Sequence, residues 1–189
     1  MPFDLNRGRV RVGIIVWLVL VVIASLVPAQ VQAGEAAINW RAIIDQYSGK
    51  KDLSTRERLE LAIARGNVGD FFGSQREFEV LERAGWTKEA QAMRSESEAR
   101  LVEDPDSLMD LNVVAFTSFV LQDYELSCTT FQRIVEVDEG NEWPRLFLAW
   151  TYGQLGMIDE GIAELEYVRR KHPFNIIVNA LLLMAKAKR

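Results

Sequence analysis

Apolar side chains recur along this chain at intervals of three and four residues, broken by short clusters rich in glycine, proline, asparagine and acidic residues. That interval is the period of a helix with one face turned inward. No alternating run is long enough to argue for a strand. The pattern predicts helices over residues 37–47, 55–64, 70–84, 87–103, 107–121, 124–137, 142–155, 159–171 and 175–188. Gly66-Asn67-Val68-Gly69, Glu103-Asp104-Pro105, Glu139-Gly140-Asn141, Gly156-Met157 and His172-Pro173 read as turns between them. Short helices joined by short loops pack as antiparallel neighbours, so the expected fold class is all-α, as a stack or a bundle.

Self-similarity favours the stack. Val114, Ala115, Ser127, Phe131 and Ile134 correspond, at one constant offset of roughly 34 residues, to Leu148, Ala149, Gly161, Leu165 and Val168. Pro105 and Pro173 are separated by twice that interval. A small residue on a first helix (Ala115, Ala149) would face a small residue on the second (Ser127, Gly161), letting the two axes approach closely. The same internal spacing appears upstream in Leu61, Ala62, Gly69, Ser74, Phe78 and Leu81, but well over one interval before the second unit. About one extra helix therefore intervenes, and the polar segment 87–103, expected to be partly exposed, is the candidate.

Residues 143–173 resemble a tetratricopeptide repeat, a helix–turn–helix unit of roughly 34 residues. Leu148, Ala149, Tyr152, Gly156, Gly161, Leu165, Val168 and Pro173 fall where that family's pattern wants them, with Gly161 where alanine is usual. The unit from Leu108 to Asn141 matches less fully, with Ser118 in place of the tyrosine and Glu139 in place of the proline. The resemblance implies a short tetratricopeptide-like α-solenoid of antiparallel helix pairs over residues 34–189. Its best units are 55–88, 108–141 and 142–175, and residues 175–188 form the closing helix. It also implies a protein-binding role, because the first helices of successive units line a concave groove in that family.

Two of those first helices carry a second apolar face. On a wheel of 3.6 residues per turn, Leu148, Ala149, Tyr152 and Leu155 point one way, while Trp143, Leu146, Phe147 and Trp150 point the other. In the preceding unit Met109, Val113, Phe116 and Val120 lie opposite Val114, Ala115 and Ser118. A helix apolar all round is buried on both sides or awaits a partner. By resemblance, Met109, Val113, Phe116, Val120, Trp143, Phe147 and Trp150 are the expected groove contacts for an amphipathic helix or extended apolar segment of a partner protein. The rival reading is that the chain covers these side chains itself, for example by residues 34–47 folding back. The closing segment 175–188 is more apolar than the outer face of a cap should be. It is either a well-buried terminal helix or a surface for a homo-oligomer, as in a self-assembling structural subunit of an envelope complex.

The N-terminus has a separate logic. Arg7, Arg9 and Arg11 precede an uncharged apolar run over residues 12–27, followed by Pro28 and the small-residue site Val31-Gln32-Ala33. This is the layout of a signal peptide or N-terminal membrane anchor over residues 1–33. The run is short of the roughly 20 apolar residues of a comfortable span, so cleaved and uncleaved forms both remain open. Either form leaves the arginines in the cytoplasm and residues 34–189 outside the cytoplasmic membrane. Those residues have the length of one domain and carry 19 basic against 26 acidic side chains. Such acidity repels phosphate backbones, so no nucleic-acid partner is expected. It also argues mildly against peripheral binding to anionic lipid, leaving the N-terminal anchor, if uncleaved, as the membrane contact.

Candidate chemistry is sparse. Cys128 is the only cysteine, which excludes an intrachain disulfide. His172, the only histidine, reads as a solvated turn residue. No cluster has metal-ligand spacing, no glycine-rich phosphate loop follows a strand, and residues 138–142 lack the alternating ligands of a calcium loop. The sequence therefore points to no cofactor, no metal and no enzyme. The expected function is that of a non-enzymatic adaptor or assembly factor outside the cytoplasmic membrane.

Overall fold

Capping chemistry fixes where five of the helices begin. The side chains of Asn39, Ser54, Asp70, Asp123 and Asn175 each accept a hydrogen bond from a backbone N–H in the first turn that follows, satisfying donors that a helix start leaves unpaired. Ser54 and Glu57 bond reciprocally, and Pro144 occupies the first helical position of its segment. The computed structural model describes residues 38–189; the expected signal or anchor at 1–33 lies outside the described residues. Among the described residues every regular element is an α-helix: α1 (Trp40–Ser48), α2 (Thr55–Asn67), α3 (Phe71–Ala84), α4 (Thr87–Leu101), α5 (Leu108–Val120), α6 (Tyr124–Val137), α7 (Pro144–Leu155), α8 (Ile158–Lys171) and α9 (Ile176–Lys188).

Neighbouring helices pack in sequence: α1 on α2, α2 on α3, and then each of α4 to α8 on the next. The polar α4 buries only Ala90, Met93 and Ser97. α3 and α4 are consecutive yet make no extended contact with each other, and the chain turns between them through left-handed Gly85 (φ 72°).

Three helical hairpins, α2–α3, α5–α6 and α7–α8, close with the same turn. The N–H groups of Asp70, Asp123 and Met157 each donate to a carbonyl five residues back, of Arg65, Ser118 and Tyr152, at 2.9 Å. The residue before each donor is left-handed: Gly69 (φ 80°), Gln122 (φ 64°) and Gly156 (φ 77°). The small residues that follow are also equivalent. Ser127 Oγ donates to the Ala115 carbonyl at 2.9 Å, and a Cβ added at Gly161 would lie 3.0 Å from the Ala149 carbonyl. The recurrence visible in the sequence is thus a recurrence of helix–helix contact.

The interior has two parts. The larger draws on α1 to α7 and includes Trp40, Leu59, Ile63, Leu81, Met93, Phe116, Phe131, Ile134 and Leu148. The smaller joins α7, α8 and α9 through Leu146, Ala149, Ile162, Leu165, Val168, Val178 and Leu182. Two boundaries differ from expectation by about a turn: α1 begins at Trp40, after its Asn39 cap, and α2 runs past its expected end. α2 continues through Gly66 and Asn67, which read as a turn, because Asn67 Nδ2 donates back to the Ile63 carbonyl at 3.0 Å.

Candidate functional site

Of the seven expected groove residues Phe116 and Phe147 meet edge-on with ring centroids 4.7 Å apart, and most of the seven lie under cover. Val113, Phe116 and Trp143 are buried, and Met109, Val120, Phe147 and Trp150 are half-buried. The cover is the α2–α3 hairpin. Phe78 stacks on Phe116 with ring centroids 5.5 Å apart, and Phe71 stacks on Phe147 at 5.6 Å and on Trp150 at 5.5 Å. Gly66 and Gly69 let the hairpin tip approach: a Cβ would come within 2.9 Å of the Phe147 ring at the first and 2.7 Å of the Trp143 ring at the second. The expectation of an open groove along α5 and α7 is corrected here, since the chain fills it itself. The occupant is the hairpin of residues 55–84, which the sequence reads as a first repeat unit (55–88) separated from the next by about one extra helix.

Polar side chains fix the register of that contact. Asn67 Nδ2 donates to Asn112 Oδ1 at 2.8 Å, and Asn141 Nδ2 donates to Asn67 Oδ1 at 3.3 Å, with all three residues buried. The Asn141 Oδ1 accepts from the Trp143 N–H at 3.2 Å. Within the hairpin, Arg58 pairs with Glu77 at 2.7 Å and Arg65 with Asp70 at 2.8 Å. Buried amides that satisfy one another in this way tolerate only the alignment that pairs them.

Beyond the covered face, a row of aromatic rings reaches the surface. Phe72 meets Phe71 edge-on at 6.2 Å, Phe71 stacks on Trp150, Trp150 meets Phe119 at 5.8 Å, and Phe119 meets Tyr124 at 5.4 Å. Phe71 is buried, whereas Phe72, Trp150, Phe119 and Tyr124 are half-buried. The row spans four helices: α3, α7, α5 and α6. Of its members only Trp150 is among the expected contacts. Phe72, Phe119 and Tyr124 stand at helix ends, where a wheel drawn for one helix does not join them; the available signal is three aromatics beside predicted turns.

Cys128 is buried, and burial pushes its thiol up, away from the thiolate form. Burial opposes ionisation of Asp110, but hydrogen bonds from Arg100, Ser107 and Ser97 outweigh it and hold the carboxyl below its usual range. His172 departs from the solvated turn residue expected. It is half-buried, stacks on Trp143 with centroids 4.5 Å apart, and bonds Glu142 through Nε2. Among the described residues, no group of three His, Cys, Asp or Glu side chains could hold a metal ion. Among them also, no helix is long and apolar enough to cross a membrane.

No protein-family model matches the chain, and no curated protein matches it in sequence.

Proposed function

We propose that residues 38–189 are a non-enzymatic protein-interaction module, a tetratricopeptide-like adaptor or assembly factor held outside the cytoplasmic membrane by residues 1–33. The repeat reading is supported by the three equivalent hairpin turns at Gly69, Gln122 and Gly156, the last two separated by the interval of the sequence recurrence. The observation that carries the binding role is the half-buried row of Phe72, Trp150, Phe119 and Tyr124 at the surface. Aromatic side chains braced by neighbouring rings provide contact area with little entropy to lose, which is what interface hot spots use. The partner is an apolar helical or extended segment of another protein lying along this row. Phe147 braces the row from beneath through its stack on Phe71, with Phe116 packed on Phe147 in turn, while Val120 and Trp150 are the groove-face residues that would touch the partner.

A photo-crosslinker at position 119 of the full chain in its native membrane, read by mass spectrometry, tests this. The expected result is one dominant protein adduct that weakens about thirtyfold in capture when Trp150 and Tyr124 are changed to alanine. Crosslinking that is diffuse, or unaffected by those changes while the domain stays folded, overturns the reading.

A further inference from the structure

The C-terminal segment differs from the rest of the domain in charge and in exposure. Residues 169–189 carry six basic side chains and no acidic one, whereas residues 38–168 carry 13 basic and 25 acidic. In the same segment Phe174 is 93 % exposed, Leu183 73 % and Ile176 41 %. Ile176 and Leu183 are two turns apart on one face of α9, with half-buried Ala180 and Met184 beside them. The opposite face of α9 is sealed into the domain through Val178 and Leu182. Around this apolar strip, Arg169 and Lys186 share Glu166, Arg189 pairs with Asp159, and Arg170 lies over the Tyr167 ring. Lys171 and Lys188 have no carboxylate partner among the described residues.

We propose that this face, formed by Phe174, Ile176 and Leu183 in a segment whose charged side chains are all basic, docks on an anionic phospholipid surface. Apolar side chains that enter the acyl boundary and are flanked by lysine and arginine at headgroup level are the two components of interfacial binding. The acidity of the domain reaches this contact only locally: Glu166 and Asp159, carboxylates that meet the segment, are already paired with its cations, and salt screens charge beyond about 8 Å. A second copy of the chain fits the face poorly. Pairing α9 with α9 antiparallel sets Lys186, Lys188 and Arg189 against the Arg169–Lys171 end of the mate. Parallel pairing sets the three C-terminal cations against themselves, and either arrangement juxtaposes like charges. The proposal concerns residues distinct from the aromatic row and does not depend on the protein-binding reading.

The test uses the full chain with Cys128→Ala and a polarity-sensitive fluorophore on Ile176→Cys, so that the probe reports α9 whatever residues 1–33 do. It is added to vesicles of phosphatidylcholine alone and of phosphatidylcholine with phosphatidylglycerol. On the anionic vesicles the emission is expected to move to the blue and become shielded from an aqueous quencher, and added salt should reverse both. Lys171→Gln with Lys188→Gln should weaken the response about 25-fold, at roughly fivefold per cation, and Phe174→Asp should abolish it. Emission that stays aqueous on both vesicles overturns the proposal. So does an equal shift on both, which would mean apolar contact without charge recognition. A shift that follows the protein-to-lipid ratio and ignores lipid charge would assign the face to a second copy instead. If a variant fails to fold, the salt and lipid dependence of the parent still decides.

Discussion

Asn67 and Asn112, distant in sequence, share a 2.8 Å side-chain hydrogen bond in the interior, where α2 ends against the middle of α5. Each amide has a second bond to its own helix, Asn67 to the Ile63 carbonyl and Asn112 to the Leu108 carbonyl. The pair thus locks the hairpin to the rest of the domain with the amide nitrogen and oxygen of each residue hydrogen-bonded. Asn112→Ala is expected to cost about 1–3 kcal/mol, since it strands a buried acceptor and donor system. A double-mutant cycle with Asn67→Ala, followed by urea unfolding, should show coupling of roughly 0.5 kcal/mol or more. Strict additivity would mean that the bond does not hold the hairpin.

Two tryptophans on one helix should behave differently when truncated. Trp143 is buried, packed on the Gly69 backbone and stacked on His172. Trp143→Ala should leave a cavity and cost about 3–5 kcal/mol. Trp150 is half-buried between Phe71 and Phe119. Trp150→Ala should cost about 1–2 kcal/mol, and its main effect should appear in partner capture. Denaturant midpoints of the two variants separate these outcomes, and equal losses would contradict the assignment of one as core and the other as surface.

That contrast marks where sequence reasoning stops. The positions of α5 to α9 are legible because each helix buries a face that repeats every three to four residues, and their ends fall within about two residues of expectation. The second apolar face of α5 and α7 is legible for the same reason. Whether that face is open is not, because the answer lies in contacts such as Phe71 with Phe147, made across several intervening helices, which no local period encodes. Gly66 illustrates the same limit. A glycine between two apolar helices reads as a turn signal, but it sits inside α2 because the Phe147 ring needs the space. His172 reads as solvated from its place before Pro173, and only the position of Trp143 shows otherwise.

The three equivalent turns supply an internal comparison. Gly156 is left-handed with open space around its Cα, so Gly156→Ala should cost only the backbone penalty of about 1–2 kcal/mol. Gly69→Ala carries the same penalty plus a clash with the Trp143 ring and should cost about 1–3 kcal/mol more. At the third turn a glutamine already bears that strain (φ 64°). Gln122→Gly should therefore stabilise the domain by up to roughly 1 kcal/mol, less the extra freedom that glycine gives the unfolded chain. Thermal melts of the three variants should rank Gln122→Gly above the parent, then Gly156→Ala, then Gly69→Ala.

A buried carboxyl at the end of α6 makes stability depend on pH. Asp138 is 5 % exposed and its Oδ2 has no hydrogen-bond partner. Burial raises its pKa above the usual 3.8, and the hydrogen bond from Asn141 only partly offsets that. The folded state therefore holds this proton more tightly than the unfolded chain does, so ionisation works against folding. That penalty is fully present above the raised folded value, shrinks as pH falls through it, and is absent below the unfolded value. Asp138→Asn keeps the shape and removes the charge. It should raise the melting temperature by a few degrees at about pH 7, with the advantage closing as the pH is lowered to about 4. Other carboxylates titrate over the same range in both proteins, so the difference between the two melting curves isolates this one. An advantage that stays constant with pH would mean that packing is responsible instead, and a variant less stable at neutral pH would mean that the ionised carboxylate is held by an interaction that outweighs its burial.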